Sequence, residues 1–205
     1  MTNADLADLE GTLRRAGTVD VGARAASAAH AAIAAADRAG LVDVAVGAVD
    51  SPVGELFVAV TERGLVRLAY DPAELQVLED LAARISPRVV AASTRVDPVR
   101  RELDEYFAGR RRRFDLSVDL SLTSAWGQRV LEATARVPAG QVTTYGALAA
   151  KVGKPTAARA VGNAVATNPV AIVVPCHRVV PAGGGVGNYG GGPERKAFLL
   201  ELERE

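Results

Sequence analysis

The chain has 205 residues, 49% hydrophobic and 23% charged, with 24 basic and 24 acidic side chains. That is the make-up of a globular protein large enough to bury a core without cross-links. One cysteine, Cys176, excludes an intramolecular disulfide and a zinc site built from several thiolates, and with only His30 and His177 no mixed cysteine-histidine metal centre is expected.

The start, Met1-Thr2-Asn3-Ala4-Asp5, has neither the basic region nor the apolar core of a signal peptide. No apolar run approaches the roughly 20 residues of a membrane span. A cytoplasmic protein with no membrane partner is expected. Eleven of the seventeen residues from 23 to 39 are alanine, which favours helix but offers little to pack. Residues 1–40 therefore read as a helical extension, with His30 a solvated helix residue.

Residues 42–46 and 56–60 flank Asp50-Ser51-Pro52-Val53-Gly54, whose proline and glycine punctuate a hairpin. Residues 64–70 supply a third strand. Leu75, Leu78, Leu81 and Ile85 recur at helical spacing, as do Val99, Leu103, Tyr106 and Phe107 after an Asp97-Pro98 start. An antiparallel meander covered by two helices is expected over 41–122. The basic run from Arg110 to Arg113 reads as a solvated loop after a helix end, where positive charge suits the dipole, with a DNA contact as the alternative.

From Thr123 onward the pattern turns helical with short connections. Trp126, Val130, Leu131 and Ala135 mark one helix, closed by Pro138-Ala139-Gly140. Residues 145–152 mark a second, ended by Gly153, and residues 157–165 a third, with Thr156 as its N-cap. Helix, glycine-containing turn and short second helix form a helix-turn-helix pattern. The last helix carries Ala157, Ala158, Ala160 and Gly162 around Arg159, with almost no side chain able to read base edges in a major groove. It is built for close approach, with one arginine as a probe. Net charge is zero, yet between Thr123 and Gly192 the only acid is Glu132, opposed by Arg129, Arg136, Lys151, Lys154, Arg159 and Arg178. This half is suited to lie against phosphate.

Pro175-Cys176-His177-Arg178 follows the apolar run Ala171-Ile172-Val173-Val174, which reads as a buried strand. Two readings of the pair stand side by side. Cys176 is either a buried small hydrophobe or a sulfur nucleophile activated by its imidazole neighbour. The segment from Gly183 to Gly192 packs seven glycines around Tyr189, which reads as a loop whose backbone must come close to something. A flexible linker is the plainer reading, although linkers seldom carry Val, Asn and Tyr.

Together these residues resemble the O6-alkylguanine-DNA alkyltransferase family, the methylated-DNA-protein-cysteine methyltransferases. Gly140-Gln141-Val142-Thr143-Thr144-Tyr145, Ala157-Ala158-Arg159-Ala160-Val161-Gly162, Asn168-Pro169, Pro175-Cys176-His177-Arg178-Val179 and Asn188-Tyr189-Gly190-Gly191-Gly192 stand in the family's order and spacing. The resemblance implies an α+β chain. Residues 41–122 would form a ribonuclease H-like mixed domain with an antiparallel sheet and helices. Residues 123–205 would form a helical, winged-helix-like domain with the helix-turn-helix, leaving 1–40 outside the match.

The activity implied is DNA repair. A single-use transferase would move the alkyl group of O6-alkylguanine, and of O4-alkylthymine, from double-stranded DNA irreversibly to Cys176. The damaged base would be flipped out of the duplex, with minor-groove binding by the alanine-rich helix. His177, acting through a water, and Glu203 would activate the thiol. Tyr145 would donate a proton or hydrogen bond to the departing guanine and press on the flipped nucleotide's phosphate. Arg159 would fill the gap in the stack. Asn168 resembles the hinge residue tying the recognition helix to the cysteine turn, and Tyr189 would wall the pocket. The carbonyls of Cys176 and Val179 and the amide of Gly190 would read the guanine edge, while Ala157, Ala158, Ala160 and Gly162 would permit close contact with DNA. No cofactor and no metal are implied, and the protein is expected to act as a monomer.

Three positions depart from the pattern: Ala166 replaces a basic residue of some relatives, Gly190 replaces a serine, and Pro193 is unusual. The zinc ligands of some relatives are missing. Two further functions share these residues. A cysteine hydrolase would use the same trio with an oxyanion hole, and a damage-sensing DNA-binding protein would use the fold without transfer. The sensor relatives lack the cysteine that stands here at 176.

Overall fold

The computed structural model describes residues 21–70, 74–91 and 93–204. The alanine-rich segment is helix α1, Val21–Arg38, and the first half of the expected extension lies outside the described residues. Contacts group the chain into a unit up to Leu41 and a second from Val42 onward.

The second unit starts with the expected meander. Strands β1 (Val44–Val49), β2 (Leu56–Thr61) and β3 (Gly64–Tyr70) pair antiparallel in sequence order. A strand absent from the sequence reading, β4 (Val89–Ala91), joins β1 in parallel, which makes the sheet mixed, in the order β3-β2-β1-β4. Three residues, two half-buried and one exposed, are too few to show an alternation, so β4 left no signal in the sequence.

Strand β2 is covered on both faces, as its near-continuous apolar run requires. Leu56 and Val58 pack in one cluster with Val96, Val99, Leu103 and Tyr106 of helix α3 (Ser93–Phe107). Phe57 and Ala59 pack in another with Val77 and Leu81 of helix α2 (Glu74–Arg84). The two expected helices thus lie on opposite faces of the sheet. Helix α3 begins at Ser93 and runs through Pro98 rather than starting there. Proline removes one backbone donor and restrains the preceding turn, and the burial of Val96 and Val99 outweighs that loss.

The C-terminal half holds α4 (Ala125–Ala135), β5 (Thr143–Thr144), α5 (Tyr145–Lys151), α6 (Ala158–Ala166), a 3-10 turn (Cys176–Arg178), β6 (Val179–Val180) and α7 (Pro193–Leu202). Ser124 and Thr144 cap α4 and α5 by accepting from the amides of Gly127 and Ala147. Helix α6 is different. Its N-cap is Ala157, with no side-chain hydrogen bond, so Thr156 does not cap it. The helices enclose Val130, Leu148, Ala149, Val161, Ala164, Val165 and Val179, and Cys176 packs in that same cluster.

The apolar run 171–174 is a series of turns rather than a strand. The Val174 amide donates to the Val170 carbonyl and that of Val173 to Ala171, and Ile172 adopts φ +67°. A β-branched residue there is strained, at a cost on the order of 1–3 kcal/mol. Its side chain is fully buried with Leu68, Leu131 and Leu199, and that packing holds the conformation. The segment also closes the free edge of β3, where the Leu68 amide donates to the Pro169 carbonyl and the Ala171 amide to that of Leu68. One core therefore runs from the sheet into the helical half. The whole is an α+β fold: a mixed sheet with helices on both faces, then a helical region built around α5, a turn and α6.

Candidate active site

Cys176 opens the 3-10 turn and is 7% exposed. Its sulfur is met by an amide rather than by the neighbouring imidazole. Asn168 Nδ2 donates to Sγ at 3.1 Å and to the Val174 carbonyl at 2.9 Å, while its Oδ1 accepts from the Val170 amide. One side chain thus fixes the path from the end of α6 to the cysteine. Burial pushes the thiol's pKa up, and hydrogen bonds from Asn168 and Tyr189 and the charge of Lys196 act against that rise. At rest the sulfur is held as a thiol.

His177 is fully buried behind it, and its Nε2 lies 2.9 Å from Glu203 Oε1. Burial lowers the imidazole's pKa by more than Glu203 raises it, so the ring is neutral at pH 7. Glu203 is a carboxylate: burial works against its charge, but hydrogen bonds and charge from His177 and Arg178 hold its pKa well below the usual range. An acceptor-only carboxylate assigns the imidazole proton to Nε2. Nδ1 is then an unprotonated acceptor, buried and without a hydrogen-bond partner among the described residues.

Tyr145, Gly162, Asn168, Cys176, Tyr189 and Gly190 line one cavity of about 1030 Å³. Helix α6 passes the Tyr145 ring at Gly162, where an added Cβ would sit 3.8 Å from Cδ1, an ordinary contact distance. Burial, then the nearby cysteine, raises the Tyr145 pKa and keeps its hydroxyl a proton donor. Val179 is fully buried and is not among the residues lining the cavity, and its carbonyl already accepts from Lys196 Nζ at 2.7 Å, leaving one lone pair. Arg159 and Ala160 are exposed on α6, with Ala157 and Ala158 half-buried at its start.

Comparison with known proteins bears on both halves of the chain. A family model described as the ribonuclease-like domain of 6-O-methylguanine DNA methyltransferase matches residues 44–120, and one described as its DNA binding domain matches residues 125–205. The methylated-DNA–protein-cysteine methyltransferase of Mycobacterium bovis is 40% identical over 161 residues, covering 76% of this chain and 90% of that protein. The chain belongs to this methyltransferase family.

An inducible enzyme of the same name from Bacillus subtilis is 35% identical, covering 72% of this chain and 83% of that protein. Among solved structures, the Mycobacterium tuberculosis OGT in complex with DNA superposes with a TM-score of 0.67 at 38% identity, over 77% of this chain and 91% of that one. The O6-methylguanine-DNA methyltransferase of Pyrococcus kodakaraensis superposes with a TM-score of 0.54 at 29% identity, over 78% and 98%.

Within this methyltransferase several site residues left no legible mark in the sequence. Arg178, grouped above with the phosphate-facing cations, is 5% exposed and donates to both Glu203 oxygens and to the Val137 carbonyl. It faces inward because the buried carboxylate needs a paired charge. Tyr106, spaced as a core position of α3, donates from its hydroxyl to Glu203 Oε1 at 2.7 Å. Tyr70 at the end of β3 hydrogen-bonds Tyr189 through the two hydroxyls at 2.8 Å. Of the basic run, Arg110 and Arg113 are exposed as expected. Arg111 instead pairs with Glu102, Glu105 and Asp115, and Arg112 donates to the Glu203 carbonyl. No helix among the described residues is long and apolar enough to cross a membrane, and no cluster there suits a metal ion.

Proposed function

We propose that this chain repairs O6-alkylguanine in double-stranded DNA by moving the alkyl group to Cys176, once per molecule, as a monomer. The observation that carries this reading is the buried line from Glu203 through neutral His177 toward a cysteine that opens into a cavity. Three parts of the chain divide the work: 1–40 as an extension, 41–122 as a sheet domain that buttresses the site, and 123–205 as the domain that holds DNA and reacts.

His177 Nδ1 takes the Cys176 proton, with one water carrying it across, and Glu203 stabilises the imidazolium that results. The thiolate attacks the alkyl carbon in line. The S–C bond forms as the C–O6 bond breaks, and its electron pair leaves on guanine. The Tyr145 hydroxyl supplies a proton or hydrogen bond to the departing base. The free lone pair of the Val179 carbonyl, the Cys176 carbonyl and the Gly190 amide read the guanine edge, and Tyr189 closes the pocket. Arg159, on a helix whose small residues admit the minor groove, occupies the place the base leaves.

A cysteine hydrolase would leave a thioester for water to attack; alkyl transfer leaves a thioether, which has no carbonyl. Cys176→Ala tests the assignment. Transfer is expected to vanish while a gel shift with alkylated duplex stays within a few-fold of the parent, because DNA is held by the helix-turn-helix and its positive face. Loss of binding as severe as the loss of transfer would contradict it.

A further inference from the structure

Two side-chain nitrogens among the described residues are buried with no hydrogen-bond partner: His177 Nδ1, which the transfer reaction uses, and Arg67 Nε. Arg67 lies on β3 opposite Ala59, immediately after Val66, which a bulge leaves without a cross-strand partner. A buried guanidinium donor with no acceptor is costly, and a purely structural arginine would recover that cost from a nearby carbonyl or carboxylate.

Its location points to the missing acceptor. Arg67 lines the same cavity as Cys176 and Tyr145, whose wall also includes Arg84 and, from the last turns and C-cap of α6, Asn163, Ala166 and Thr167; its chain neighbour Leu68 pairs with Pro169 and Val170 just beyond that end. Arg84 is already engaged by Asp80 and the Leu122 carbonyl. Among the described residues no aspartate or glutamate lines the cavity. Helix α6 itself supplies positive charge only at Arg159. From there to Ala166 is roughly 10 Å along the helix axis, about three nucleotide steps of a DNA strand.

We infer that Arg67 is a DNA-phosphate ligand: its guanidinium, held by the sheet at the cavity edge, grips a phosphate of the strand that passes the C-terminal end of α6. This rests on reading the chain as a DNA alkyltransferase. The terminal guanidinium nitrogens suit two non-bridging phosphate oxygens, and because the buried Nε makes no hydrogen bond, extending the side chain toward the strand breaks none there. The DNA interface then extends beyond the helix-turn-helix onto the sheet domain, and Arg67 supplies a cation at the end of α6 where Ala166 has none.

The test measures duplex affinity across a salt series, beside the rate of Cys176 alkylation by free O6-benzylguanine, a probe with no phosphate. Arg67→Gln is expected to weaken binding to O6-methylguanine duplex on the order of tenfold and to lower the slope of log K against log salt by about one. The free-base rate should stay at the parent value. Arg67→Lys, which keeps the charge, should keep the slope, and this pair separates charge from packing even where melting temperature falls. An unchanged slope in Arg67→Gln, or an equal loss in the free-base reaction, would overturn the phosphate role. If the parent protein bound duplex but transferred nothing, the alkyltransferase reading would fail while the salt slopes still decided the role of Arg67.

Discussion

Glu203 is the residue on which the chemistry of the site converges. Its carboxylate accepts from His177, from two nitrogens of Arg178, from the Tyr106 hydroxyl and, more weakly, from the Gly140 amide. It also sits at the C-cap of α7, so one residue terminates a helix, joins both halves of the fold and sets the tautomer of His177. Glu203→Gln keeps an acceptor and removes the charge. We expect transfer to slow by roughly 10- to 100-fold on duplex and free base alike, because the defect lies in ionising Cys176 rather than in binding DNA. An unchanged rate-versus-pH profile of thiol alkylation would refute the role. The same groups fix the acid limb of stability. His177 has a lowered folded pKa, so its contribution is present above the unfolded value near 6.5 and fades as pH falls below it. Glu203, depressed by His177 and Arg178 against the effect of burial, adds a second loss below the unfolded value near 4.3. Melting temperature should therefore drop from pH 7 toward pH 5 and steepen below about 4.3; a flat curve from pH 7 to pH 5 would contradict the His177 assignment, and no further loss below pH 4 that of Glu203.

Two elements, helix α6 and the glycine-rich loop, shape what reaches the cysteine. Arg159→Ala should slow repair of duplex DNA far more than reaction with a free O6-alkylguanine base, since only the duplex has a vacancy to fill; equal slowing in parallel assays would remove the finger role. In the loop, a Cβ on Gly191 would lie 2.6 Å from Tyr70 Cδ2 and 3.0 Å from Tyr189 Cε1. Gly191→Ala should accordingly cost about 1–3 kcal/mol and slow transfer, with Tyr70→Ala restoring part of both. Absence of rescue, read by melting temperature and rate, would mean the clash is not what constrains the loop. These elements also show how legible the sequence was. The helix-turn-helix and the first three strands were visible because helical spacing, turn glycines and the proline-glycine punctuation between apolar runs are local signals. Residues 171–174 misled, since four apolar residues in a row say "buried" without saying "strand", and only packing against Leu68, Leu131 and Leu199 holds Ile172 at positive φ. Tyr70, Tyr106 and Arg178 were missed for a related reason: each acts through a partner far away in sequence.

On the scale of the whole molecule, the sheet domain and the helical domain share a core and a site. Tyr70 and Tyr106 come from the first, Cys176, His177 and Tyr189 from the second, and Leu68 bonds across the seam. The cysteine is buried, its thiol is protonated at rest, and the imidazole of His177 lies deeper still. A thioether formed there has no electrophilic carbonyl for water to attack, and the chain contains no second cysteine to accept the alkyl group. Intact-protein and peptide mass spectrometry after incubation with excess O6-methylguanine duplex tests this most directly. One methyl group per chain is expected, located on Cys176, with product stopping at one equivalent and the methylated protein inert to a second addition. Repeated turnover with a free thiol regenerated at Cys176, or methyl groups found elsewhere, would contradict it.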